Sequence, residues 1–310
     1  MTENRIRRSG RALCLVLLVA MLLALFALPR GAAASAKESA EPHTRAKISY
    51  TLPGIPGRDL GSYKRLALTV NRVNISGGAP IINGIAYLPL RAFAEAVGGA
   101  SVSYNASTKT ATLKMSGLYL TVSDGAFVAY ANDRALFSFS PAIMMTNGKM
   151  YVPAEALAKA LGLKRDYISE SALSYSGKYT PLIHAAKYYR ADEVLWLSRI
   201  ISAEARGESL IGQIAVGNVI MNRVRSSAFP NTIWGVIFDK RYGIQFSPVA
   251  NGTVYNDPTY TATLAAKICL EGTSLSGDTL YFLNPRVAHS SWIVNNRRYA
   301  YTIINHDFYY

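Results

Sequence analysis

Short runs of alternating hydrophobic and polar residues mark the first half of the chain from Tyr63 onward. Residues 66–70, 111–114, 118–122 and 127–130 follow this period of two in part, and turn residues separate most of them. Such a period is typical of β-strands that bury one face, because successive side chains point to opposite sides of a strand. The pattern therefore predicts a small module rich in β-structure.

An internal repeat at an offset of 64 residues lies within the same region. Residues 83–98 and 147–162 share the order Asn-Gly, Tyr-x-Pro, spaced alanines and a final glycine. Each copy predicts a turn, a short strand and a helix. We expect the proline at the first helical position, where a missing amide hydrogen costs nothing, and the glycine at a left-handed helix end.

In the second half of the chain the hydrophobic period changes to that of helices. Asp192 is the predicted N-cap of a first helix, Gly207 breaks that helix, and Ser209 is the predicted N-cap of a second. Two further helices are predicted after caps at Asn231 and Asp257, and the later one ends before a glycine. This half is therefore predicted to be mostly helical.

Some strand-like segments follow these helices. Residues 279–283 and 299–304 read as strands, and residues 245–247 as a strand or a loop crossing. A chain of 310 residues has room for two domains with cores of their own. The predicted fold class is α+β with two domains, a small repeat-containing β/α module followed by a mostly helical domain with a small β element.

Three segments are predicted to lie outside the two domains. Residues 1–34 carry arginines, then an apolar run and a small-residue cleavage site, which predicts a secretory signal peptide. A retained membrane anchor is the alternative, since the apolar run is barely long enough to span a bilayer. Residues 35–60 predict a flexible tether, and residues 166–190, polar and rich in tyrosine, a linker. The domains would be 61–165 and 191–310.

Charge and cysteine content narrow the range of partners. A net charge of +14 favours polyanions, and outside a bacterium these are anionic wall polymers and the carboxylates of peptidoglycan. No basic cluster interleaved with aromatic residues is present in the sequence, so no nucleic-acid partner is predicted. Membrane contact is predicted only through the signal segment before cleavage. After cleavage Cys269 would be the one remaining cysteine, and its apolar helical surroundings predict a core residue.

Two carboxylates, Glu204 and Glu208, lie where the first helix of the second domain is predicted to end. A glutamate backed by tryptophan and isoleucine side chains is partly desolvated. Desolvation raises its pKa and makes it a proton donor near neutral pH. The alternative is a solvated pair at a helix end, and the spacing alone does not decide between them.

A series of short motifs runs through the second half of the chain with no large gap. They are Ser-Ala-Glu-Ala-Arg-Gly-Glu at 202–208, Gly-Gln-Ile-Ala-Val at 212–216, Asn-Arg-Val at 222–224, and the segments 229–233, 245–249, 281–285 and 306–308. Over about residues 192–310 this order resembles the cell wall hydrolases of the SleB/CwlJ type, the spore cortex-lytic enzyme family. The resemblance implies a lysozyme-like architecture and cleavage of the glycan strand of peptidoglycan.

The same resemblance implies that Glu204 is the acid that protonates the leaving oxygen. In lytic transglycosylases, which this family resembles, one glutamate acts first as acid and then as base. The C6 hydroxyl of muramic acid attacks and leaves a 1,6-anhydro end, so no second carboxylate is needed. Glu208 is a secondary candidate that would complete a two-carboxylate hydrolase. Because Gly207 disrupts the helical spacing, the preferred interpretation of Glu208 is a structural pairing with Arg206 or Arg223.

Other motif positions are candidates for contacts with the glycan. They are Gln245, Phe246, Ser247, Tyr281 and Asn284. Amides and hydroxyls bond sugar hydroxyls and aromatic rings stack on sugar faces, although each of these residues also suits a core or turn role. Trp292 is a weaker candidate of the same sort, and His306 a secondary one with a structural alternative. The histidines lack metal-ligand spacing and the chain has no nucleophile elbow, so no metal and no cofactor are predicted.

The repeat-containing region, about residues 60–170, resembles the copper amine oxidase N-terminal-like domain of exported bacterial proteins. The resemblance implies a small sheet packed on helices. The sequence has neither a His-x-His pair nor an Asn-Tyr dipeptide of the kind that matures into a quinone, so copper chemistry is not expected. We interpret this domain as a non-catalytic spacer or wall-binding module.

Together these features predict an exported enzyme that degrades peptidoglycan in the cell wall or spore envelope of a Gram-positive bacterium. The expected reaction is cleavage of the MurNAc–GlcNAc strand by transglycosylation, with peptidoglycan and anionic wall polymers as partners. Three alternatives stay open at this point. The domain could be a hydrolytic muramidase, a non-catalytic wall-binding or structural protein, or a metal-dependent amidase that cuts the peptide.

Overall fold

The computed structural model of the chain describes residues 52–275, 277–288 and 291–310, and the elements below are numbered in chain order within these ranges. The predicted signal peptide, residues 1–34, lies outside the described residues, and so do residues 35–51 of the predicted tether. Within the described ranges, no helix combines the length and the apolar character that crossing a membrane requires.

Two β-sheets and two helices form the described part of the N-terminal module. The strands are β1 (Arg65–Val70), β2 (Val73–Ile82), β3 (Ile85–Pro89), β4 (Ser101–Asn105), β5 (Thr110–Met115), β6 (Leu118–Ser123), β7 (Val128–Ala131), β8 (Arg134–Phe137), β9 (Ile143–Met144), β10 (Met150–Pro153), β11 (Lys164–Ile168) and β12 (Ala172–Ser176). The helices are α1 (Leu90–Gly98) and α2 (Ala154–Leu161). One sheet has the order β11-β12-β1-β2-β3-β10-β9, and the other β4-β5-β6-β7-β8. Buried aliphatic side chains fill the core.

The two copies of the repeat meet in the middle of the seven-stranded sheet. β3 pairs antiparallel to β10, with Tyr87 opposite Pro153 and Pro89 opposite Tyr151. This register relates the copies by a local two-fold symmetry, and each strand leads directly into its helix. The sequence predicted each proline as the first helical residue, but Pro89 and Pro153 are N-cap residues. Because each proline still lies opposite a tyrosine of the neighbouring strand, its backbone stays extended and the helix begins one residue later.

The segment 166–190, predicted to be a linker, is in part folded into the first sheet. β12 pairs parallel to β1 and antiparallel to β11, so residues 166–176 belong largely to the N-terminal module. All five residues of β11 are exposed, which explains why the segment shows little hydrophobic period. Just before it, Gly162 has a φ of 70°, and a Cβ there would lie 2.2 Å from the carbonyl oxygen of Thr180. Because residues 166–176 lie largely in paired strands, the linker prediction is wrong for them.

The C-terminal domain is mostly helical. Its helices are α3 (Ala185–Tyr188), α4 (Ala191–Ala205), α5 (Leu210–Arg225), α6 (Ile233–Ile237), α7 (Ser247–Asn251), α8 (Tyr260–Leu270) and α9 (Trp292–Asn296). Its strands β13 (Tyr281–Leu283), β14 (Tyr299–Ile303) and β15 (His306–Tyr309) form a sheet in the order β13-β15-β14. The mixture of helices and sheets agrees with the predicted α+β class.

Helices α4, α5 and α8 pack closely around the core of this domain. Cys269 on α8 is buried in that core, as predicted. Gly217 on α5 allows the close approach, because a Cβ there would lie 2.7 Å from the Cys269 Sγ and 2.8 Å from Ile201 Cδ1. Replacing Gly217 with any larger residue would therefore push α5 away from its neighbours.

The first residues of three helices differ from the prediction. The N-cap of α4 is Arg190, and Asp192 lies in the first turn, where its carboxylate still interacts favourably with the helix dipole. The N-caps of α6 and α8 are Thr232 and Thr259, one or two residues after the predicted caps. Each threonine hydroxyl accepts a hydrogen bond from the backbone N–H three residues on, at 3.0 and 3.1 Å. The hydroxyl that reaches this N–H sets the start of the helix.

The hairpin of β7 and β8 packs against the core of the C-terminal domain. Ala135 is completely buried within that core, and Val128, Tyr130 and Phe137 pack against it. The turn of the hairpin is held as well, since Asn132 Nδ2 donates to the carbonyl of Leu182 at 2.7 Å. Part of the N-terminal module is thus a wall of the second hydrophobic core.

A buried cluster of charges closes the same interface. Glu271 at the end of α8 accepts two hydrogen bonds from Arg134, at 2.7 and 2.8 Å, and one from the hydroxyl of Tyr189 at 2.7 Å. Lys159 Nζ lies 2.8 Å from Glu271 Oε2 and also donates a hydrogen bond to the Glu271 backbone carbonyl. The guanidinium of Arg134 stacks on the ring of Tyr188, 3.3 Å from its centroid. Side chains from three parts of the chain therefore satisfy one carboxylate.

Candidate active site

Glu204 lies in the last turn of α4, just before the helix ends at an exposed Arg206 and Gly207. Ile200 and Ile201, one turn earlier, are fully buried, which places Glu204 at the border between core and solvent. Burial removes water from its carboxyl and raises the pKa of Glu204 to about 7, while Arg223 acts to lower it. Near neutral pH a large fraction of this carboxyl is protonated, the state that a general acid needs.

Arg223 on α5 is the cation that interacts with Glu204. It is only 4% exposed, and its Nε donates to the carbonyl of Leu280 at 2.7 Å. Three aromatic rings surround its guanidinium, with centroids 4.9 Å away for Phe229, 5.1 Å for Phe246 and 5.4 Å for Tyr281. Burial lowers the pKa of Arg223 to about 10, which still leaves the group charged at neutral pH.

Glu208 is directed toward the turn between β14 and β15. Its carboxylate accepts a hydrogen bond from Asn305 Nδ2 at 3.0 Å and lies 3.5 Å from His306 Nδ1. The side chain also packs on Gly212, where an added Cβ would come within 2.9 Å of the Glu208 Cβ. These partners differ from the Arg206 or Arg223 expected from the sequence.

His306 is a buried residue of β15. Burial lowers its pKa, against the opposing effects of Glu208 and Asp307, so the imidazole is neutral at neutral pH. Its ring packs edge-on against Phe282 with centroids 5.6 Å apart. The geometry is that of a histidine held inside the fold, which matches its predicted structural alternative.

Phe246 is a core residue, and the expectation that it contacts the glycan is wrong. Its side chain is 3% exposed, and its ring packs between the Arg223 guanidinium and Phe282. A ring with so little exposed surface cannot stack on a sugar. Phe246 instead forms one wall of the aromatic surroundings of Arg223.

The other predicted contact residues lie near the surface. Gln245 is half-buried with its amide donating to the carbonyl of Gly243, and the exposed Ser247 begins α7. Of the two predictions for the segment 245–247, a strand or a loop, the strand is wrong, since Gln245 and Phe246 lie in a loop that leads into α7 at Ser247. Asn284 accepts from the backbone N–H of Arg286 at 3.0 Å, a turn role. Contacts of these side chains with a glycan stay predictions.

Tyr281 lies between two guanidinium groups. The guanidinium of Arg223 lies 5.4 Å from its ring centroid and that of Arg297 lies 4.5 Å from it. Arg297 also lies 4.8 Å from the centroid of Trp292, whose side chain is half exposed. Tyr281 therefore connects the surroundings of the acid to a partly exposed aromatic surface.

Sequence reasoning missed the role of Arg223 and of Phe229 beside it. One signal was present, since Arg223 is a basic residue on α5, whose remaining positions from 210 to 222 carry no charge. An arginine that directly follows so long an uncharged stretch is expected to be paired or stacked inside the fold. The three rings that surround it come from distant segments, and no local pattern joins them.

Clusters of three or more histidine, cysteine, aspartate or glutamate side chains arranged to hold a metal are absent from the described ranges. His289 lies outside these ranges. The prediction that the reaction needs no metal is therefore left as a prediction.

Comparison with protein families gives two matches. A model described as cell wall hydrolase matches residues 207–309, and one described as copper amine oxidase N-terminal domain matches residues 69–173. Both fall where the sequence motifs suggested. Glu204 itself lies three residues before the start of the first match.

Curated relatives match over about a third of the chain. A spore cortex-lytic enzyme of Bacillus cereus is 41% identical over 105 residues, which are 34% of this chain and 39% of the relative. That of Oceanobacillus iheyensis is 38% identical over 114 residues, 37% of this chain and 40% of the relative. The Bacillus subtilis enzyme is 39% identical over 102 residues, 33% of this chain and 32% of the relative. The chain thus spans about two fifths or less of the length of these relatives.

Two solved structures resemble the same part of the chain. The catalytic domain of the germination-specific lytic transglycosylase SleB from Bacillus anthracis is 38% identical, with a TM-score of 0.36, over 39% of this chain and 97% of that one. The catalytic domain of the Bacillus cereus SleB protein matches with the same identity and TM-score over 92% of its length. Residues 207–309 of the chain thus match the cell wall hydrolase family, and residues 69–173 match the copper amine oxidase N-terminal domain family.

Proposed function

We propose that the protein is an exported enzyme that cleaves the MurNAc–GlcNAc strand of peptidoglycan as a lytic transglycosylase. Glu204 donates its proton to the glycosidic oxygen, and the bond from that oxygen to the muramic acid C1 breaks. The C6 hydroxyl then attacks C1 and returns its proton to Glu204, which leaves a 1,6-anhydro end. No water enters the products, and the glutamate recovers its starting state.

The environment of Glu204 is the observation that carries this proposal. Burial holds its pKa at about 7, well above that of an ordinary glutamate, so it can donate a proton at neutral pH. Glu208, the other carboxylate of the motif, accepts a hydrogen bond from Asn305 and is directed toward the β14–β15 turn. One available carboxyl suits a reaction that needs one and does not suit the two-carboxylate hydrolases.

The similarity to spore cortex-lytic enzymes and to a lytic transglycosylase supports the same reaction class. On this basis we propose that the substrate is peptidoglycan of the cell wall or spore cortex of a Gram-positive bacterium. The N-terminal module, whose boundaries we place near residues 61 and 176, would bind the wall or hold the catalytic domain at a distance from its tether. A lysozyme-like architecture of the catalytic domain is part of the same proposal.

Mass spectrometry of the soluble fragments tests the reaction. Purified protein is incubated with vegetative sacculi and with spore cortex, and the muropeptides are separated and weighed. Transglycosylation gives anhydro fragments lighter by one water molecule than those of a muramidase. Fragments of the heavier kind would establish the hydrolytic alternative, and release of free peptides sensitive to a chelator would establish the amidase.

Two variants of the same helix tell catalysis apart from binding. Glu204→Gln should give no clearing in a peptidoglycan gel, whereas Glu193→Gln, in the exposed first turn of α4, should clear as the wild type does. Equal clearing by both variants would reject Glu204 as the acid. A lack of clearing by the wild type, with sacculi still bound, would favour the non-catalytic wall-binding protein.

A further inference from the structure

Arg223 presents an energetic problem that the fold solves only in part. Its guanidinium is buried, and removing a cation from water is unfavourable in the absence of a partner. Its Nε is satisfied by the Leu280 carbonyl, but Nη1 is buried and has no hydrogen-bond partner within the described residues. Aromatic faces offset a part of this cost through cation–π attraction. A buried arginine left with an unused donor suggests a role beyond packing.

The surroundings of Arg223 fix its position and its charge. Phe229, Phe246 and Tyr281 hold the planar guanidinium on three sides. Arginine stays charged at any physiological pH, whereas a buried lysine sheds its proton readily. The carboxyl groups that act on this fixed charge are Glu204 and Asp239, and Asp239 is itself paired with Arg241 at 2.9 Å. Glu204 is the one of the two that lacks a close ion pair in the described structure.

We propose that Arg223 is a positioning residue that stabilises the carboxylate form of Glu204 between the two proton transfers. This inference rests on the proposed function, because it concerns how one glutamate serves as acid and then as base. The proton passes to the leaving oxygen, and the carboxylate that remains interacts with the Arg223 charge. The C6 hydroxyl then supplies the proton that neutralises the carboxylate again. Arg223 exchanges no proton and forms no bond in either step.

The pH dependence of kcat/KM in the full-length protein tests this role. Activity falls as pH rises through the pKa of the acid, about 7 for Glu204. In Arg223→Gln the amide can still donate to the Leu280 carbonyl but the charge is gone. The high-pH limb of the profile should then move up by about one unit, since an opposite charge at short range shifts a carboxyl by roughly that much or more. A purely structural role would lower activity and leave the limb in place.

A matched control lies two residues further along the same helix. Arg225 is exposed and donates to Asn222 Oδ1, so Arg225→Gln removes the same charge outside the aromatic surroundings. Its profile should coincide with that of the wild type. A limb that does not move in folded Arg223→Gln, or that moves as far in Arg225→Gln, would overturn the proposal.

A measurement without turnover separates this inference from the proposed function. With ¹³C-labelled glutamate, the Glu204 carboxyl signal is recognised by its absence from Glu204→Gln and is titrated in wild type and Arg223→Gln. A midpoint that rises in Arg223→Gln supports the role of Arg223 even for a protein that cleaves no glycan. An unchanged midpoint rejects it even for an active enzyme.

Folding of the variant is a separate question with its own answer. If Arg223→Gln does not fold, Arg223→Met, which also removes the charge, is the variant to titrate. A Glu204 midpoint that rises by about a unit supports the electrostatic role. A midpoint that stays at the wild-type value overturns it.

Discussion

Two glutamates at the C-terminal ends of helices in the same domain have opposite environments. Glu271 ends α8 and is met by Arg134, Lys159 and Tyr189, all within hydrogen-bond distance. Glu204 ends α4 and has one arginine nearby, with no direct ion pair in the described structure. Burial acts to raise the pKa of both, but the hydrogen bonds at Glu271 outweigh it, so that its pKa is lowered.

The difference shows that the supply of partners decides what a buried carboxyl does. A carboxylate with three donors is charged at all working pH values and joins the elements that hold it. A carboxyl with too few donors keeps its proton longer and can give it to a substrate. The domain interface is therefore the site of the stabilising glutamate, and the end of α4 is the site of the reactive one.

The largest expected effect is on catalysis by Glu204→Gln. Loss of a general acid costs about 10²–10⁴-fold in rate, and the amide leaves shape and burial nearly unchanged. We expect release of soluble muropeptides to fall by that factor, with a melting temperature at least as high as that of the wild type at pH 7. A fall in rate accompanied by loss of the fold would show that Glu204 is structural, as Glu271 is.

Glu271→Gln should instead destabilise the protein. The variant leaves the buried Arg134 and the partly exposed Lys159 beside an uncharged amide, which costs about 3–5 kcal/mol. Urea unfolding measures the change. The control is Glu155→Gln, which removes an exposed ion pair with Arg165 at 2.7 Å and should cost less than about 1 kcal/mol. Equal effects of the two substitutions would mean that the interface cluster contributes no more than a surface pair.

These two glutamates also show what the sequence could predict. Glu204 became a candidate because the helical face before it and the motif at 202–208, which carries the family resemblance, are local features of the sequence. Glu271 has no comparable local signal beyond the glycine that follows it. Its partners Arg134 and Lys159 lie 137 and 112 residues earlier, and no local pattern joins them.

The strands of the N-terminal module likewise differ in whether a local pattern predicts them. Where strands alternate hydrophobic and polar residues, as in β5 and β6, the sequence located them. β11 has no buried residue, and it is a strand because β12 pairs with it and with β1, a parallel neighbour about a hundred residues away. Pairing across such a distance is a tertiary effect that overrides local composition. The aromatic surroundings of Arg223 were missed for the same reason.

The pH dependence of stability should differ in sign for the two glutamates. Glu204 has a folded pKa of about 7, raised from 4.5, so the folded protein holds a proton that the unfolded chain releases. Stability is fully present below the unfolded pKa and falls as pH rises toward 7, by roughly 3 kcal/mol in total. Glu271 has a lowered folded pKa, and its contribution is lost as pH falls.

Urea unfolding of wild type and Glu204→Gln between pH 4 and 8 isolates the contribution of Glu204 to the pH dependence of stability. The two proteins should be about equally stable at pH 4. At pH 8 the variant should be more stable, by up to roughly 3 kcal/mol. Parallel curves over the whole range would mean that Glu204 titrates alike in the folded and unfolded states, and the claim that burial raises its pKa would be lost.

The smallest effect is expected from Glu208→Gln. The amide oxygen can still accept the hydrogen bond from Asn305, while the other end becomes an NH₂ group at the buried position of Oε2, which has no partner in the described residues. We expect a loss of about 1 kcal/mol in stability from this unsatisfied donor, measured by urea unfolding. The rate of muropeptide release and its pH profile should stay within about twofold of the wild type, because a residue tied to the β14–β15 turn takes no part in proton transfer. A fall in rate as large as that of Glu204→Gln would instead mean that both carboxyls act, which is the arrangement of a hydrolase that delivers water to the muramic acid.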